Sequence, residues 1–204
     1  MNNMEIVDQL KNISINNWDH YYYLLSVLVA QNSRCLSTKI GAVLVKDKSV
    51  ISTGYNGPPR GIPHCDVRCN SSPHNKVVFD SKLENDLFVA GYRPSEVQKL
   101  DNCPRRLLGY KSGEGLEYCI AGHAERNALL NAARHGISTY DTILYLSCGV
   151  PCKDCLIEII NAGVKEVVVV DKYNFYDETS KYIKANSNLI IRNYCLENED
   201  ETKR

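Results

Sequence analysis

Residues 122–171 read GHAERNALLNAARHGISTYDTILYLSCGVPCKDCLIEIINAGVKEVVVVD, and this stretch decides the fold. Its first part carries a small-residue, Leu-rich face at helical spacing and stops at Gly136, which predicts a helix closed by a glycine. TILYLS (142–147) is a short apolar run of strand length, and CKDCLIEIINAG (152–163) is a second helix ended by Gly163. EVVVVD (166–171) is β-branched without alternation, the pattern of a strand buried on both faces. Helix, strand, helix, strand is the rhythm of a layered α/β domain in which helices cover a sheet.

Working outward, IGAVLVKD (40–47) and SVISTG (49–54) form a predicted hairpin turning at residues 46–48. WDHYYYLLSVLVAQNS (18–33) predicts an opening amphipathic helix, and NLIIRNY (188–194) a last strand. GYNGPPRG (54–61) is loop-forming. Residues 64–119 are the least regular part, an insertion with scattered Cys, His and Pro and a short helix expected near 95–100. The tail at about 196–204 is polar. No repeat or linker divides the chain, so a single domain over 1–204 is expected.

The 24 Lys and Arg balance the 24 Asp and Glu, so no overall field favours nucleic acid or a membrane surface. MNNMEIVDQLKN at the start lacks the basic-then-apolar order of a secretion signal, and no apolar run approaches the roughly 20 residues of a membrane helix. A cytoplasmic location is expected. Nine cysteines are many for such a compartment, and an odd count without a signal points to metal or catalysis rather than a disulfide framework.

His123-Ala124-Glu125 opens one helix and Pro151-Cys152-Lys153-Asp154-Cys155 opens the next. Catalytic zinc takes three protein ligands and keeps a fourth position open, and one imidazole with two thiolates supplies that set. Cysteines three apart on one turn converge on a single ion, and the positive end of the helix favours their anionic form. Pro151 suits a first turn, which has no use for its N–H. Glu125 is placed to shuttle a proton between water and a leaving amine. Alone, Cys-x-x-Cys is as often a structural zinc half-site or redox pair, and His-x-Glu carries almost nothing. In this order, at two helix starts separated by one strand, they match the signature of zinc deaminases.

At these residues the chain resembles the cytidine deaminase-like superfamily, and within it the deoxycytidylate (dCMP) deaminases. The closer resemblance rests on CLSTKIGAVLVKDKSVISTGYNGPPRGIPHCD (35–66), CPRRLLGYKSGEGLEYC (103–119), GHAERNALLNAAR and PCKDC. It implies a three-layer α/β/α fold with a mixed five-stranded sheet, and zinc-dependent hydrolysis of dCMP to dUMP, which supplies thymidylate synthesis. It carries over His123, Cys152 and Cys155 as catalytic zinc ligands, Glu125 as the catalytic proton carrier, Asn56 as a substrate contact and Arg134 as an effector-response residue. Many relatives are hexamers that respond to dCTP, and to dTTP with Mg2+. One departure is the link Ser147-Cys148-Gly149-Val150 before Pro151, where many relatives are shorter. Cys148 reads as a buried thiol at the strand end.

The resemblance also implies a second, structural zinc. Some phage relatives build one with cysteines matching Cys35 and Cys65 plus two histidines, but no histidine lies between His74 and His123 here. Cys69, Cys103 and Cys119 are the available substitutes, and a four-sulfur site is chemically sound. Arg34, Lys39, Arg60 and the Arg105–Arg106 pair are candidate phosphate anchors. The alternatives are a deaminase for another pyrimidine (cytosine, cytidine or a riboflavin precursor), a nucleic-acid deaminase, or a zinc-stabilised binding module. Glu125 speaks against the last, because a purely structural site has no need of that carboxylate.

Overall fold

The structure is a computed structural model that describes residues 12–13, 15, 17–68, 81–93, 100, 102–111, 113–170 and 177–194. All five expected strands are present: β1 (Gly41–Lys46), β2 (Ser49–Tyr55), β3 (Ile143–Leu146), β4 (Glu166–Val169) and β5 (Ile190–Asn193). They form one sheet in the order β2-β1-β3-β4-β5. β1 runs antiparallel to both β2 and β3, whereas β3, β4 and β5 are mutually parallel. The β1–β2 turn is tight because Asp47 and Lys48 both take left-handed backbone angles, φ 49° and 59°. That pair of angles matches the twist of a two-residue hairpin.

Strand periodicity explains why the middle strands are apolar without alternation. Ala42, Leu44, Leu144, Leu146, Val167 and Val169 face one side, where they pack with Ala128 and Leu129 of α4 (Ala124–Arg134) and Leu156 and Ile159 of α5 (Lys153–Asn161). Val43, Val45, Tyr145 and Val168, one residue out of phase, face the other side and meet Tyr22, Leu25 and Val29 of α1 (Trp18–Ala30). Two helical layers therefore cover one mixed sheet, the three-layer arrangement expected.

α1 starts where the Asn17 side chain accepts from His20 N–H at 2.9 Å. Its Asp19 accepts a forked pair from the Arg192 guanidinium of β5, at 2.6 and 2.8 Å, and the Tyr145 hydroxyl of β3 at 2.8 Å. Arg192 also donates to Glu166 of β4. This polar node pins the outer helix across three strands. Of the three consecutive tyrosines, Tyr22 is buried and its ring lies 4.9 Å from that of Tyr145.

Elements beyond the sequence reading are α2 (Ser81–Val89), the short α3 (Pro104–Leu107) and α6 (Glu178–Ala185). The helix expected near 95–100 falls outside the described residues except for Leu100. Leu100 joins Leu83 and Leu87 of α2 in a small satellite core flanked by Leu36, Leu107 and Tyr118. The described part of the insertion thus packs around Leu36, in the segment that leads into β1. Among the described residues no helix is long and apolar enough to cross a membrane.

One glycine positions the site. A Cβ on Gly54 of β2 would lie 2.2 Å from Ala128 N and 2.4 Å from Ala124 O, so only glycine lets α4 sit this close to the strand. The contact is sealed by side chains. Asn127 and Asn131 of α4 donate to Tyr55 O and Thr53 O, each at 2.8 Å, and Ser52 donates to Ala128 O at 2.7 Å.

Candidate metal centre and active site

The two inner-face helices begin side by side at the same end of the sheet. His123 is the N-cap residue of α4 and Cys152 that of α5, with Cys155 in the first turn. Neither cap residue bonds its own helix through its side chain, which leaves both free to point at a shared centre. His123 Nδ1 lies 3.4 Å from Cys152 Sγ and 3.3 Å from Cys155 Sγ. All three donor atoms lie within 4.8 Å of one another. Tetrahedral zinc with Zn–N about 2.0 Å and Zn–S about 2.3 Å sets N···S separations of roughly 3.5 Å, so the donor set fits the ion.

The electrostatics agree. A hydrogen bond from the Cys155 thiol, reinforced by His123, pulls Cys152 far below the usual thiol range, while Cys155 is pushed up as the donor of that bond. The two thiols thus favour a shared negative charge centred on Cys152, the anionic form that a metal would require. His123 is raised, chiefly through its hydrogen bond with Cys152. Glu125, on the first turn of α4, is only 4% exposed, and burial raises its carboxyl above the ordinary value. A buried carboxyl with its hold on the proton strengthened is suited to take one up and return it. Arg126 binds Glu158 of α5 in a two-pronged ion pair, 2.9 and 2.8 Å, and so clamps the two ligand-bearing helices together. Sequence reading missed this clamp, since no local motif links residues 32 apart.

The remaining candidates separate. Asn56 is 8% exposed, and its amide is engaged by the backbone: Nδ2 donates to Thr38 O and Oδ1 accepts from Ile40 N, both at 2.8 Å. Next to it, Gly57 and Gly122 exchange two backbone hydrogen bonds at 3.1 and 2.8 Å, which ties the Asn56 loop to the residue preceding His123. Arg134 lies exposed in the last turn of α4. Cys148 follows β3, and burial pushes its thiol up, the strand-end thiol expected.

Cys35, Cys65, Cys103 and Cys119 come from four separated segments and line one cavity, together with His64. Burial pushes the Cys65 thiol up to about 11, and the other three cysteines act in the same direction. The segments are cross-braced: Arg34 binds Asp66 at 2.6 Å, beside the Cys35–Cys65 pair, and Arg68 donates to Tyr118 O next to Cys119. Among the described residues, however, only His123, Cys152 and Cys155 bring three donors within 4.8 Å of one another. Cys69 and His74 lie outside the described residues.

Comparison with known proteins agrees with this geometry. Residues 16–171 match the family model described as the cytidine and deoxycytidylate deaminase zinc-binding region. The deoxycytidylate deaminase of Schizosaccharomyces pombe is 32% identical over 82% of this chain and 41% of its own length. That of Saccharomyces cerevisiae is 30% identical over 89% and 46%. The chain therefore spans less than half the length of these yeast relatives. The deoxycytidylate deaminase of Enterobacteria phage T2 is 34% identical over 74% of this chain and 78% of its own. In fold, the chain is similar to the dCMP deaminase of cyanophage S-TIM5 solved with dCMP and dUMP, with TM-score 0.56 and 21% identity over 89% of this chain and 100% of that one. A matching family model over most of the chain, laid on a histidine and two cysteines that already fit zinc, makes this protein a member of the cytidine and deoxycytidylate deaminase zinc-binding family.

Proposed function

We propose that the protein is a zinc-dependent hydrolase that deaminates dCMP to dUMP in the cytoplasm, as one domain, and so feeds thymidylate synthesis. The observation that carries this reading is the imidazole within 3.4 Å of two thiols, beside a carboxyl that is almost wholly buried. His123 Nδ1, Cys152 Sγ and Cys155 Sγ would hold the metal. Zinc, when bound, supplies a nucleophile from water at neutral pH and polarises the reacting centre. Glu125 then acts by moving protons. Its carboxylate would take one proton from the attacking water and deliver it to a ring nitrogen of the base. It would then take the second proton, from the hydroxyl left by the attack as that becomes the product carbonyl, and pass it to the leaving amine, which departs as ammonia. The buried setting of Glu125 keeps bulk water from competing for that proton. The α4–α5 clamp of Arg126 and Glu158 holds the two ligand-bearing helices in register.

The choice of dCMP over cytosine, cytidine or a riboflavin precursor is supported by the deoxycytidylate deaminases among the relatives. The test is ammonia release by zinc-loaded protein. We expect kcat/KM for dCMP to exceed that for deoxycytidine by at least about 10-fold, the worth of one charge-assisted phosphate contact. Equal values would favour a nucleoside or free-base deaminase.

A second, structural zinc at Cys35, Cys65, Cys103 and Cys119 belongs to the same reading, supported by their shared cavity and the bracing around it. Sulfurs brought together from four segments would draw in on an ion. Zinc per chain is the test: two equivalents are expected, and one equivalent in fully active protein would remove the site. Assembly into hexamers, activation by dCTP, inhibition by dTTP with Mg2+ and a role for Arg134 in that response complete the proposal; initial rates with and without each nucleotide test the regulation.

A further inference from the structure

We propose that Lys39 is the residue that takes the substrate's phosphomonoester and so separates nucleotide from nucleoside; this rests on the dCMP reading above. The argument starts from how the loop bearing it is held. Thr38 O and Ile40 N, the groups on either side of Lys39, are both gripped by the Asn56 amide at 2.8 Å. Asn56 leads directly into Gly57, which exchanges two hydrogen bonds with Gly122, the neighbour of His123. On the other side, Gly41 N donates to Ser147 Oγ at 2.9 Å and Ser147 N donates to Gly41 O at 3.0 Å. Ser147 begins the link that reaches Cys152. The loop at residues 38–40 is therefore fastened to both halves of the metal centre, one connection leading to the imidazole and the other to the thiols. Lys39 stands on a backbone held at both ends, on a loop tied to each half of the metal centre.

The four arginines that the sequence offered as phosphate anchors are committed elsewhere. Arg34 is neutralised by Asp66 at 2.6 Å. Arg60 donates to Asn131 at 3.0 Å. Asn131 lies eight residues along α4 from His123, about 12 Å down the helix axis and away from the metal. Arg105 braces the carbonyls of Glu114 and Lys111, at 2.6 and 3.1 Å, and Arg106 that of Tyr110 at 3.2 Å. Lys39 is exposed and has no hydrogen-bond or ion-pair partner among the described residues. A flexible stem ending in a compact ammonium is a point-charge phosphate binder. Asn56 then acts as a positioning residue, holding the loop from which that charge is presented.

The test separates binding from turnover. Calorimetric titration with dUMP and with deoxyuridine should show zinc-loaded wild-type protein preferring the nucleotide by about 10- to 100-fold, the range for a hydrogen bond to a charged group. Lys39→Ala should bring the two affinities together, whereas Lys39→Arg should keep most of the preference. In the turnover arm, Lys39→Ala should raise KM for dCMP by a similar factor, with kcat and the deoxycytidine reaction little changed. The exposed position predicts an unchanged melting temperature. A wild-type preference that survives Lys39→Ala overturns the assignment of Lys39 alone. A wild-type protein that binds dUMP no better than deoxyuridine overturns it together with the phosphate argument. Loss of the binding preference in Lys39→Ala, in a protein that releases no ammonia from dCMP, would uphold Lys39 and refute the activity.

Discussion

Replacing Gly54 by Ala tests how tightly the catalytic geometry depends on one strand–helix contact. The added Cβ would stand 2.2 Å from Ala128 N, and ordinary contact begins at 3.4 Å, so the helix backbone must retreat by about 1.2 Å. Backbone atoms cannot rotate aside as a flexible side chain would. α4 carries His123 at its N-cap and Glu125 in its first turn, whereas Cys152 and Cys155 sit on α5 and need not follow. The displacement therefore opens the His123–thiol spacing and shifts Glu125 relative to the two thiols. A shift of 1 Å at a reacting centre costs on the order of 100-fold in rate, and overpacking a tight core costs about 1–3 kcal/mol in stability. We expect kcat/KM for dCMP to fall about 100-fold at a temperature where circular dichroism shows the variant folded. Zinc should also be lost faster to a chelator. Wild-type activity and zinc retention in a variant destabilised by 1–3 kcal/mol would refute the claim that this contact sets the site.

Glu125→Gln should lower turnover by at least about 100-fold while zinc stays bound, with ammonia release and metal content as the measurements. Because burial raises the Glu125 carboxyl above its unfolded value, its charged form is penalised by folding, and stability falls as pH rises through that window. Metal-free Glu125→Gln should accordingly melt higher than metal-free wild type at pH 7, the gap closing below about pH 4 where wild-type Glu125 is protonated in both states. Asp19 has the opposite sign. The hydrogen bond from Arg192 holds its carboxyl below the ordinary value, so it contributes stability above about pH 4 that is lost as pH falls through the folded-state value. Asp19→Asn should cost about 1 kcal/mol at pH 7, screened because the pair is partly exposed, with the difference vanishing in acid.

The sheet was legible in the sequence because burial on both faces leaves unbroken apolar runs at β1, β3 and β4, and the positive-φ pair Asp47–Lys48 follows from the short turn. The catalytic metal set was legible for a different reason: each half is local, one helix start apiece, and a single intervening strand brings them together. What was not legible is long-range or weakly patterned. α6 buries Ser180 and carries no apolar stripe, so its Asp177 cap, accepting from Ser180 N–H at 2.7 Å, was the one signal. α2 shows its inner face only through Leu83 and Leu87, one turn apart in a polar segment. Cys35 and the insertion's Cys65, Cys103 and Cys119 come to line one cavity only once the insertion packs against the segment before β1. Asn56 shows how a motif can hold more than one meaning, since the residue read as a substrate contact also fastens the neighbouring loop.

The two asparagines of α4 that seal β2 have a consequence for self-association. β2 lies at the end of the strand order, where open carbonyls invite a strand from another molecule. Asn127 and Asn131 occupy Tyr55 O and Thr53 O, and they come from the same helix that bears His123 and Glu125. A foreign strand that paired with these two carbonyls would have to displace the Asn127 and Asn131 amides. Addition of a strand at β2 would thus compete with the same two contacts that hold α4, and with it His123 and Glu125, against the sheet.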